Sequence, residues 1–358
     1  MKPASKKPIQ KKPISSKKKH SSPTLSKRRP PRFGFCLLEL LAATLLFVVV
    51  IVFGISYFVF QQAVCPNTWG RTEFCNSSLS DEESLAIMYS DYPFVKRWLK
   101  RQRSNNRFRE FTIYSDSDST LLHSYYIPAE QPTANTALVI HGYQSKALEM
   151  LHIAYLYHHD MQFNVLLPDL RTHGKSGGTH IGFGWTEAQD ILQWMSETEK
   201  MSDAPVNWVV HGISMGAATT MFVAGKSNNS NVKAYIEDCG YSSVFDEIAY
   251  VAQRDYGMSE APCVTLASQI CQWVYGWNFR EASCAEALRN VETPMLFIHG
   301  TADRYVPFDM VHDLYNAKPR NKEIWEVKDV IHARSYHDRR DEYTKKVSDF
   351  VNQFLYTE

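Results

Sequence analysis

The chain begins with a polar, basic segment and continues into a long apolar run. From Phe35 to Phe60 nearly every side chain is apolar, and Glu39, Thr44 and Ser56 are the interruptions. The run exceeds the ~20 residues that a helix needs to cross the hydrocarbon core of a bilayer. It is also longer than the ~7–15 apolar residues of a cleaved signal peptide. The pattern therefore predicts a transmembrane helix over residues 35–60, with the lipid bilayer as its partner.

Beyond the apolar run, residues 61–106 predict a polar spacer followed by one amphipathic helix over 81–103. Three acidic residues open this helix at positions 81–83, where carboxylates suit the positive end of the helix dipole. From residue 107 the pattern changes to short apolar runs separated by helical stretches. Segments 107–114 and 121–127 flank a turn-like Ser-Asp-Ser-Asp sequence and predict an antiparallel hairpin.

The later apolar runs are bounded by polar segments, which is typical of buried parallel strands. These runs occupy residues 137–140, 165–167, 208–210, 234–236, 295–298 and 324–327. The stretches that predict crossover helices occupy residues 185–201, 215–225, 308–315 and 340–354. Residues 107–358 are therefore expected to form an α/β domain with a mostly parallel eight-stranded sheet and helices on both faces.

One interval between predicted strands is too long for a single crossover helix. It covers residues 241–293, about fifty positions. We expect a small helical cap over about 242–293. Its aromatic residues either pack the cap or line a substrate cleft; they are Tyr250, Tyr256, Trp273, Tyr275 and Trp277.

Charge refines this arrangement. Residues 1–32 carry twelve Lys or Arg and no Asp or Glu, whereas only Arg71 closely follows the apolar run. Because the positive flank of a span stays inside, residues 1–34 are expected to form a basic cytoplasmic tail with the α/β domain outside. A nucleic-acid partner is not expected, since the Pro and Ser content of this tail indicates a solvated segment.

The seven cysteines leave two alternatives open. Cys36 lies in the predicted span, and six others lie in a compartment that oxidises thiols if the topology holds. Cys65 and Cys75 are able to close a short loop, whereas buried free thiols are the other alternative. No Cys or His spacing indicates zinc, so no metal site is expected.

Candidate chemistry begins after the run 208–210. Gly212–Gly216 has the sequence Gly-Ile-Ser-Met-Gly, and small residues then open a helix. A serine in such a strand–turn–helix elbow projects its hydroxyl at the carboxyl edge of the sheet. Ser214 is therefore the candidate nucleophile, and the backbone N–H of Met215 is a candidate oxyanion donor. A second donor is expected from Tyr143, which follows a His-Gly turn at the end of another predicted strand.

Two further polar residues follow strand ends. Asp303 comes after run 295–298 and His332 after run 324–327, and the chain order Ser, Asp, His is that of α/β hydrolases. Asp303 is the expected acid and His332 the expected base. Asp238 and His337 are the rival acid and base, whereas His141 and His299 are expected to stabilise loops around the cleft.

The Gly212–Gly216 elbow, the His141-Gly142 turn, the segment Asp169–Ser176, the Asp303 loop and His332 together resemble the α/β-hydrolase superfamily. Coverage runs from about Arg107 to the end. The resemblance is greatest to bacterial membrane-anchored hydrolases near the serine-aminopeptidase and esterase-like branches, in which the segment Ile236–Tyr241 recurs. The resemblance implies a triad of Ser214, Asp303 and His332.

The same resemblance raises two points about residues 169–175. Thr172 stands where relatives commonly have Gly, which questions the local loop conformation. Asp169, Arg171 and His173 are expected to hold the turn together by hydrogen bonds and an ion pair. Lys175 and Arg304 are able to meet an anionic substrate, although solvated surface charge is the ordinary role.

The expected reaction is acyl transfer to water through an acyl-enzyme on Ser214, with no cofactor. A carboxylic-ester hydrolase is the leading interpretation of this constellation. A serine aminopeptidase acting on a peptide, an acyltransferase and a non-catalytic scaffold are the alternatives. An acidic pair in the cap, able to bind a free amino terminus, would favour the peptidase.

Overall fold

The computed structural model describes residues 33–65, 79–202 and 204–355. The predicted basic tail, most of the predicted spacer and Cys75 lie outside the described residues. A first structural unit ends at Val49, and a second begins at Val50 and contains the sheet. In the described part, Cys239, Cys271 and Cys284 are buried free thiols, which agrees with the second of the two alternatives for these three.

Helix α1 covers Phe33–Val64 and therefore extends beyond both ends of the predicted span. Its segment Leu37–Val64 is long and apolar enough to cross a membrane, with a mean hydropathy of 2.7. Apolar side chains along most of this segment are exposed, as a lipid-facing helix requires. Within the second unit, however, Val59, Phe60 and Val64 are buried. The last turns of the helix are thus covered by protein.

The segment after the spacer forms two helices, α2 (Asp81–Asp91) and α3 (Pro93–Ser104), so the prediction of one continuous helix was wrong. Ser80 and Glu83 form a capping box at the start of α2. The break falls at Tyr92, whose φ of −131° and ψ of 73° are not helical. Pro93 causes it, because proline lacks an N–H and disfavours the helical conformation of the preceding residue.

Eight strands form one sheet in the order β1-β2-β4-β3-β5-β6-β7-β8. Strand β2 is antiparallel to both of its neighbours, and every other pair is parallel. The predicted hairpin and the predicted parallel strands are confirmed. The strands are β1 (Arg109–Tyr114), β2 (Leu121–Ile127), β3 (Asn135–Ile140), β4 (Asn164–Asp169), β5 (Asn207–Ile213), β6 (Val232–Asp238), β7 (Met295–Gly300) and β8 (Lys322–Val327).

Helices cover both faces of the sheet, and each predicted crossover helix is present. Between β6 and β7 the chain forms the predicted helical insert. The remaining helices are α4 (Leu151–Tyr155, flanked by short 3-10 and π turns), α5 (Glu187–Lys200), α6 (Met215–Lys226), α7 (Val244–Tyr256), α8 (Thr265–Tyr275), α9 (Cys284–Leu288), α10 (Asp309–Ala317), α11 (Ser335–Asp338) and α12 (Arg340–Leu355).

Side chains that alternate along the buried strands divide into two apolar cores, one on each face. On β3, Leu138 and Ile140 join the core that contains α5, α6 and the insert, whereas Ala137 and Val139 join the core that contains α3, α4 and α12. This alternation is the expected consequence of the two-residue period of a strand. The side chains of the triad candidates lie instead at the carboxyl edge of the sheet.

Candidate active site

Ser214 lies in a sharp turn between β5 and α6, with φ 58° and ψ −119°. A positive φ is costly for a residue with a side chain, and such strain persists only where neighbours hold it. Here the Ser214 N–H donates to the Asp238 carbonyl at 2.8 Å, and the Ser214 carbonyl accepts from the Ala218 N–H at 3.0 Å. The turn is therefore held from strand β6 on one side and from α6 on the other.

Two glycines allow this turn to form. A Cβ atom at Gly212 would overlap the backbone of Gly216, and a Cβ atom at Gly216 would overlap the Ile140 carbonyl of β3. These clashes involve backbone atoms, which have little room to move. The glycines of the predicted elbow are thus required by the close approach of the strand and the helix.

The three residues predicted to form the triad are brought together in a hydrogen-bonded line. His332 Nε2 lies 2.9 Å from Ser214 Oγ, and His332 Nδ1 lies 2.7 Å from Asp303 Oδ2. Both contacts have the geometry of strong hydrogen bonds. A hydroxyl, an imidazole and a carboxylate in this arrangement are able to pass a proton from the hydroxyl to the ring.

Asp303 is buried and surrounded by donors. Its Oδ1 accepts the N–H groups of Tyr305 and Val306 at 2.8 and 3.0 Å, and its Oδ2 lies 3.2 Å from His299 Nε2. Burial alone would raise the pKa of Asp303, but the hydrogen bonds with His299 and His332 outweigh it and lower the pKa to about 2. The carboxyl group is therefore ionised at neutral pH. His299, expected to stabilise a loop, contacts this carboxylate directly.

The two predicted oxyanion donors lie beside Ser214. Tyr143 and Met215 line the same pocket as Ser214. Met215 is the first residue of α6, where N–H groups have no acceptor inside the helix. The Tyr143 side chain also has an unforeseen contact, because its hydroxyl donates to the carbonyls of Gln62 and Ala63 at 3.2 Å each. Tyr143 thus connects the cleft to the end of α1.

The rival residues lie elsewhere. Asp238 is buried against Tyr343 and Ser335, whose hydroxyls donate to it at 2.9 and 3.4 Å. His337 contacts Asp338 and Arg334. Neither rival bonds to His332 or to Ser214 through its side chain in the described part of the chain.

The other predicted loop residue, His141, has a structural environment. The His141 ring is fully buried and accepts the Leu170 N–H at 2.9 Å. This bond ties the loop after β3 to the turn after β4.

The turn after β4 is built differently from the prediction. Arg171 does not pair with Asp169; its guanidinium instead forms two hydrogen bonds with Asp190 of α5, at 2.7 and 2.9 Å, and one with Asp118 at 2.9 Å. Asp169 bonds to His123 and to backbone N–H groups. The expected structural role is therefore right, but the expected pairing within the turn was wrong, because both charges find partners on other elements.

The backbone at Thr172 has a conformation that suits the glycine expected at this position from the resemblance. Its φ is +66°, in the left-handed region that favours glycine. Its N–H donates to the Gly177 carbonyl at 2.7 Å, which holds the strained residue in place. Lys175 donates to Glu110 at 2.8 Å, and Arg304 is exposed.

One group of side chains in this cleft is close enough together to be considered as a metal site. Among the described residues, Cys239, Asp303 and His332 form the group whose ligand atoms lie close enough for one ion. Asp303 and His332 bind each other, however, and burial raises the pKa of the Cys239 thiol well above its ordinary value. A protonated thiol is a poor ligand, so this group suits the hydrogen-bonded line better than a metal.

Two pockets meet at Ser214. The apolar pocket, about 960 Å³ with its open mouth, is lined by Ser214 and Met215, by the insert and by the end of α1. Its α1 residues are Phe58, Val59, Gln62 and Ala63, and its α7 residues include Glu247, Ile248, Val251, Ala252 and Asp255. Of the insert's aromatic residues, Tyr256 also lines it.

The second pocket, called the polar pocket after its charged and amide side chains, also includes Ser214 and is lined by His332. Its wall includes polar side chains from α2, from the loop after β3 and from the loop that precedes α11. Examples are Asp91, Gln144 and Arg334. Apolar atoms form most of the surface of both pockets, and the pocket with His332 offers more charged and hydrogen-bonding side chains beside Ser214.

Sequence reasoning did not find the α1 residues of the apolar pocket. The available signal was weak, because the apolar pattern of 35–60 is the same for a side chain that faces lipid and one that faces protein. The contribution of α2 to the polar pocket was also missed, since only tertiary packing brings that helix to the cleft.

With this geometry in hand, comparisons with known proteins are informative. A profile of the alpha/beta hydrolase family matches residues 137–345. The uncharacterized protein YqkD of Bacillus subtilis is 30% identical over 227 residues, covering 63% of this chain and 74% of YqkD. The uncharacterized protein YfhR of Escherichia coli K12 is 26% identical over 251 residues, covering 68% of this chain and 80% of YfhR. The chain belongs to the α/β hydrolase family.

Solved structures with the same fold include two archaeal enzymes. The esterase Pf2001 of Pyrococcus furiosus has a TM-score of 0.56 and 21% identity, covering 69% of this chain and 93% of the esterase. The acylaminoacyl peptidase of Pyrococcus horikoshii has a TM-score of 0.53 and 21% identity, covering 70% of this chain and 42% of the peptidase. At such identities the likeness shows the fold alone.

Proposed function

We propose that the protein is a serine hydrolase that cleaves carboxylic esters through an acyl-enzyme on Ser214. The observation that carries the proposal is the line of contacts from Ser214 Oγ through the His332 ring to Asp303, at 2.9 and 2.7 Å. Membership of the α/β hydrolase family supports it.

In the first half of the reaction, Ser214 Oγ bonds to the ester carbonyl carbon while its proton passes to His332 Nε2. Asp303, ionised and bonded to Nδ1, stabilises the charged ring. The carbonyl oxygen takes the negative charge and is met by the N–H groups of Tyr143 and Met215. Loss of one such donor typically costs about 3 kcal/mol of barrier.

In the second half, the tetrahedral intermediate expels the alcohol, which takes the proton from His332. A water molecule then gives a proton to His332 and attacks the acyl carbon. The bond to Ser214 breaks, and the carboxylic acid leaves as Ser214 regains its proton. The net reaction is ester plus water to acid plus alcohol, so no redox partner is needed.

The charges of the insert favour an ester over an aminopeptidase substrate. Glu247 and Asp255 both line the apolar pocket and resemble the acidic pair that would hold a free amino terminus. Burial raises the pKa of Glu247 well above its ordinary value, which disfavours a negative charge on this carboxyl group. Asp255 forms two hydrogen bonds with Arg254, at 2.6 and 2.8 Å. The pair therefore offers little net negative charge to an ammonium group.

The basic residues before α1 support a cytoplasmic amino terminus and an active site on the outer side of the membrane. Protease added to intact cells is expected to digest the hydrolase domain. Complete protection, in cells whose outer envelope has been made permeable, would contradict this orientation.

The central test is labelling of the full-length protein in detergent with a small fluorophosphonate, beside Ser214→Ala and His332→Ala variants. We expect rapid labelling of the wild type and none of either variant, with unchanged melting temperatures. A folded wild-type protein that does not react would favour the scaffold alternative. Labelling that survives Ser214→Ala would place the nucleophile elsewhere.

A substrate screen with unlabelled wild-type protein then separates the remaining alternatives. Esters of 4-nitrophenol are expected to turn over faster than aminoacyl 4-nitroanilides. The opposite order would favour the peptidase. Product that forms mainly by transfer to an added alcohol, in place of water, would favour the acyltransferase.

A further inference from the structure

The end of helix α1 forms part of the active site as well as anchoring it. Phe58, Val59, Gln62 and Ala63 line the apolar pocket together with residues of α7. Val59 is buried, although it continues a run of side chains that are largely exposed. The pocket is therefore complete only when the anchor helix is in place.

Specific bonds hold this wall in position. The last carbonyl groups of a helix have no acceptor role within the helix and need outside donors. The Tyr143 hydroxyl bonds the Gln62 and Ala63 carbonyls, and the Ile181 N–H bonds the Val64 carbonyl at 2.8 Å. Aromatic contacts with the insert accompany them, since the Phe58 and Tyr256 rings lie 5.6 Å apart.

The length of the helix places this wall next to the bilayer. The 28 residues of Leu37–Val64 extend about 42 Å, whereas the hydrocarbon core is ~30 Å thick. About two turns are therefore left over, and the turns buried by protein are those at the Val64 end. A span that begins at Leu37 would thus end about two helical turns before Val64.

The insert supports the same placement. Trp273 and Val274 are 65% and 56% exposed, and they precede Tyr275, whose ring lies 5.9 Å from that of Phe60. Exposed aromatic and apolar residues beside the end of a transmembrane helix are typical of the membrane interface. The insert thus has a surface suited to contact with lipid.

The position of His332 assigns the two pockets to the two halves of a substrate. His332 must protonate the departing alcohol, so the alcohol has to lie on the side of that ring. Within the described chain, His332 lines the polar pocket and does not line the apolar one. The acyl chain must then occupy the apolar pocket, which is lined by α1 and α7.

From these observations we propose that the substrate is a membrane-resident amphiphile with a long acyl chain, which enters the apolar pocket along α1, and a polar alcohol, which occupies the polar pocket. This inference rests on the proposed ester hydrolysis at Ser214. Each methylene group that enters such a pocket adds apolar contact, so activity is expected to rise with chain length until the pocket is full.

Matched substitutions of one residue type test the pocket. Val59→Trp on α1 and Val251→Trp on α7 add bulk to the apolar pocket from two different helices, whereas Val50→Trp adds the same bulk to α1 at an exposed position. The readout is the ratio of kcat/KM for 4-nitrophenyl dodecanoate to that for 4-nitrophenyl acetate, measured on the full-length protein in detergent.

We expect both pocket variants to lower this ratio at least tenfold and Val50→Trp to leave it within about twofold. Equal ratios in all four proteins, with acetate still hydrolysed, would overturn the chain pocket and leave the proposed esterase intact. If the wild-type protein neither hydrolyses the acetate nor reacts with the fluorophosphonate, the proposed function itself is overturned. Two pocket variants are used because a single variant that misfolds would give no information about the pocket.

A second arm tests the source of the substrate. Full-length protein in lipid vesicles is given monododecanoylglycerol, which partitions into the bilayer, or the same ester held in solution by a cyclodextrin. Faster release of dodecanoate from the vesicle-bound ester supports entry along α1. Faster release from the cyclodextrin would contradict it.

Discussion

Two buried carboxyl groups lie at neighbouring strand ends, and their surroundings make them differ. Asp238 ends β6, and Asp303 follows β7. Burial raises the pKa of Asp238 to about 6, because hydroxyl donors from Tyr343 and Ser335 offset only part of its effect. Burial also acts to raise the pKa of Asp303, but hydrogen bonds with His299 and His332 outweigh it and lower the pKa to about 2. Position in the fold thus permits either residue to be the acid, and the local donors favour Asp303.

The largest expected effect comes from Asp303→Asn. The amide is able to hold the His332 ring in the wrong tautomer and cannot stabilise its charged form, so we expect kcat to fall about 10³–10⁴-fold. Hydrolysis of 4-nitrophenyl acetate measures the loss, with circular dichroism as the control for folding. If Asp303→Asn keeps more than a tenth of wild-type activity, Asp303 is not distinguished from Asp238 as the catalytic acid.

Asp238→Asn is expected to have a smaller effect, and a different kind of effect. The introduced amide keeps one acceptor oxygen for Tyr343 or Ser335, so we expect kcat within about threefold of wild type and a change in stability of about 1–3 kcal/mol. Chemical denaturation and ester hydrolysis measure the two quantities on the same sample. A loss of kcat as deep as that of Asp303→Asn would make Asp238 part of the catalytic line.

The smallest effect is the pH dependence of stability. The pKa of Asp238 is about 6 in the folded chain, against an ordinary 3.8, so its protonated form stabilises the fold fully below 3.8. That contribution is lost as the pH rises through about 6. For Asp303, with a folded pKa of about 2, the contribution is present above 3.8 and lost as the pH falls through about 2.

Melting temperatures measured from pH 4 to 7 check the sign for Asp238. Relative to wild type, Asp238→Asn is expected to gain a few degrees as the pH rises across this range. Asp303→Asn serves as the comparison, because wild-type Asp303 is already ionised over most of the range. If the difference in melting temperature between wild type and Asp238→Asn stays constant with pH, the raised pKa of Asp238 is contradicted.

Sequence patterns were sufficient for the sheet and for the hydrogen-bonded line. Short apolar runs indicated where the strands lie along the chain, and the ends of parallel strands meet at one edge, so Ser214, Asp303 and His332 could be expected to converge. The elbow at Gly212–Gly216 was recognisable because it demands small residues at fixed positions.

Other features were beyond local patterns. The partner of Arg171 is Asp190, a residue on α5, and only the packing of that helix against the turn decides the pairing. The break between α2 and α3 had a local signal in Pro93, which the amphipathic pattern on either side obscured. The burial of Val59 had none, since hydropathy does not distinguish lipid from protein as surroundings.

The bonds between Tyr143 and the end of α1 restrict how the anchor can change during evolution. An anchor that only tethers can be exchanged for another apolar helix of similar length. Here, one residue inserted between Val59 and Gln62 would turn Val59 by about 100° relative to the carbonyl groups that Tyr143 holds and carry it off the pocket. The anchor therefore has a rotational register, and drift in its sequence is tolerated only where the register and the small side chain at Ala63 are kept.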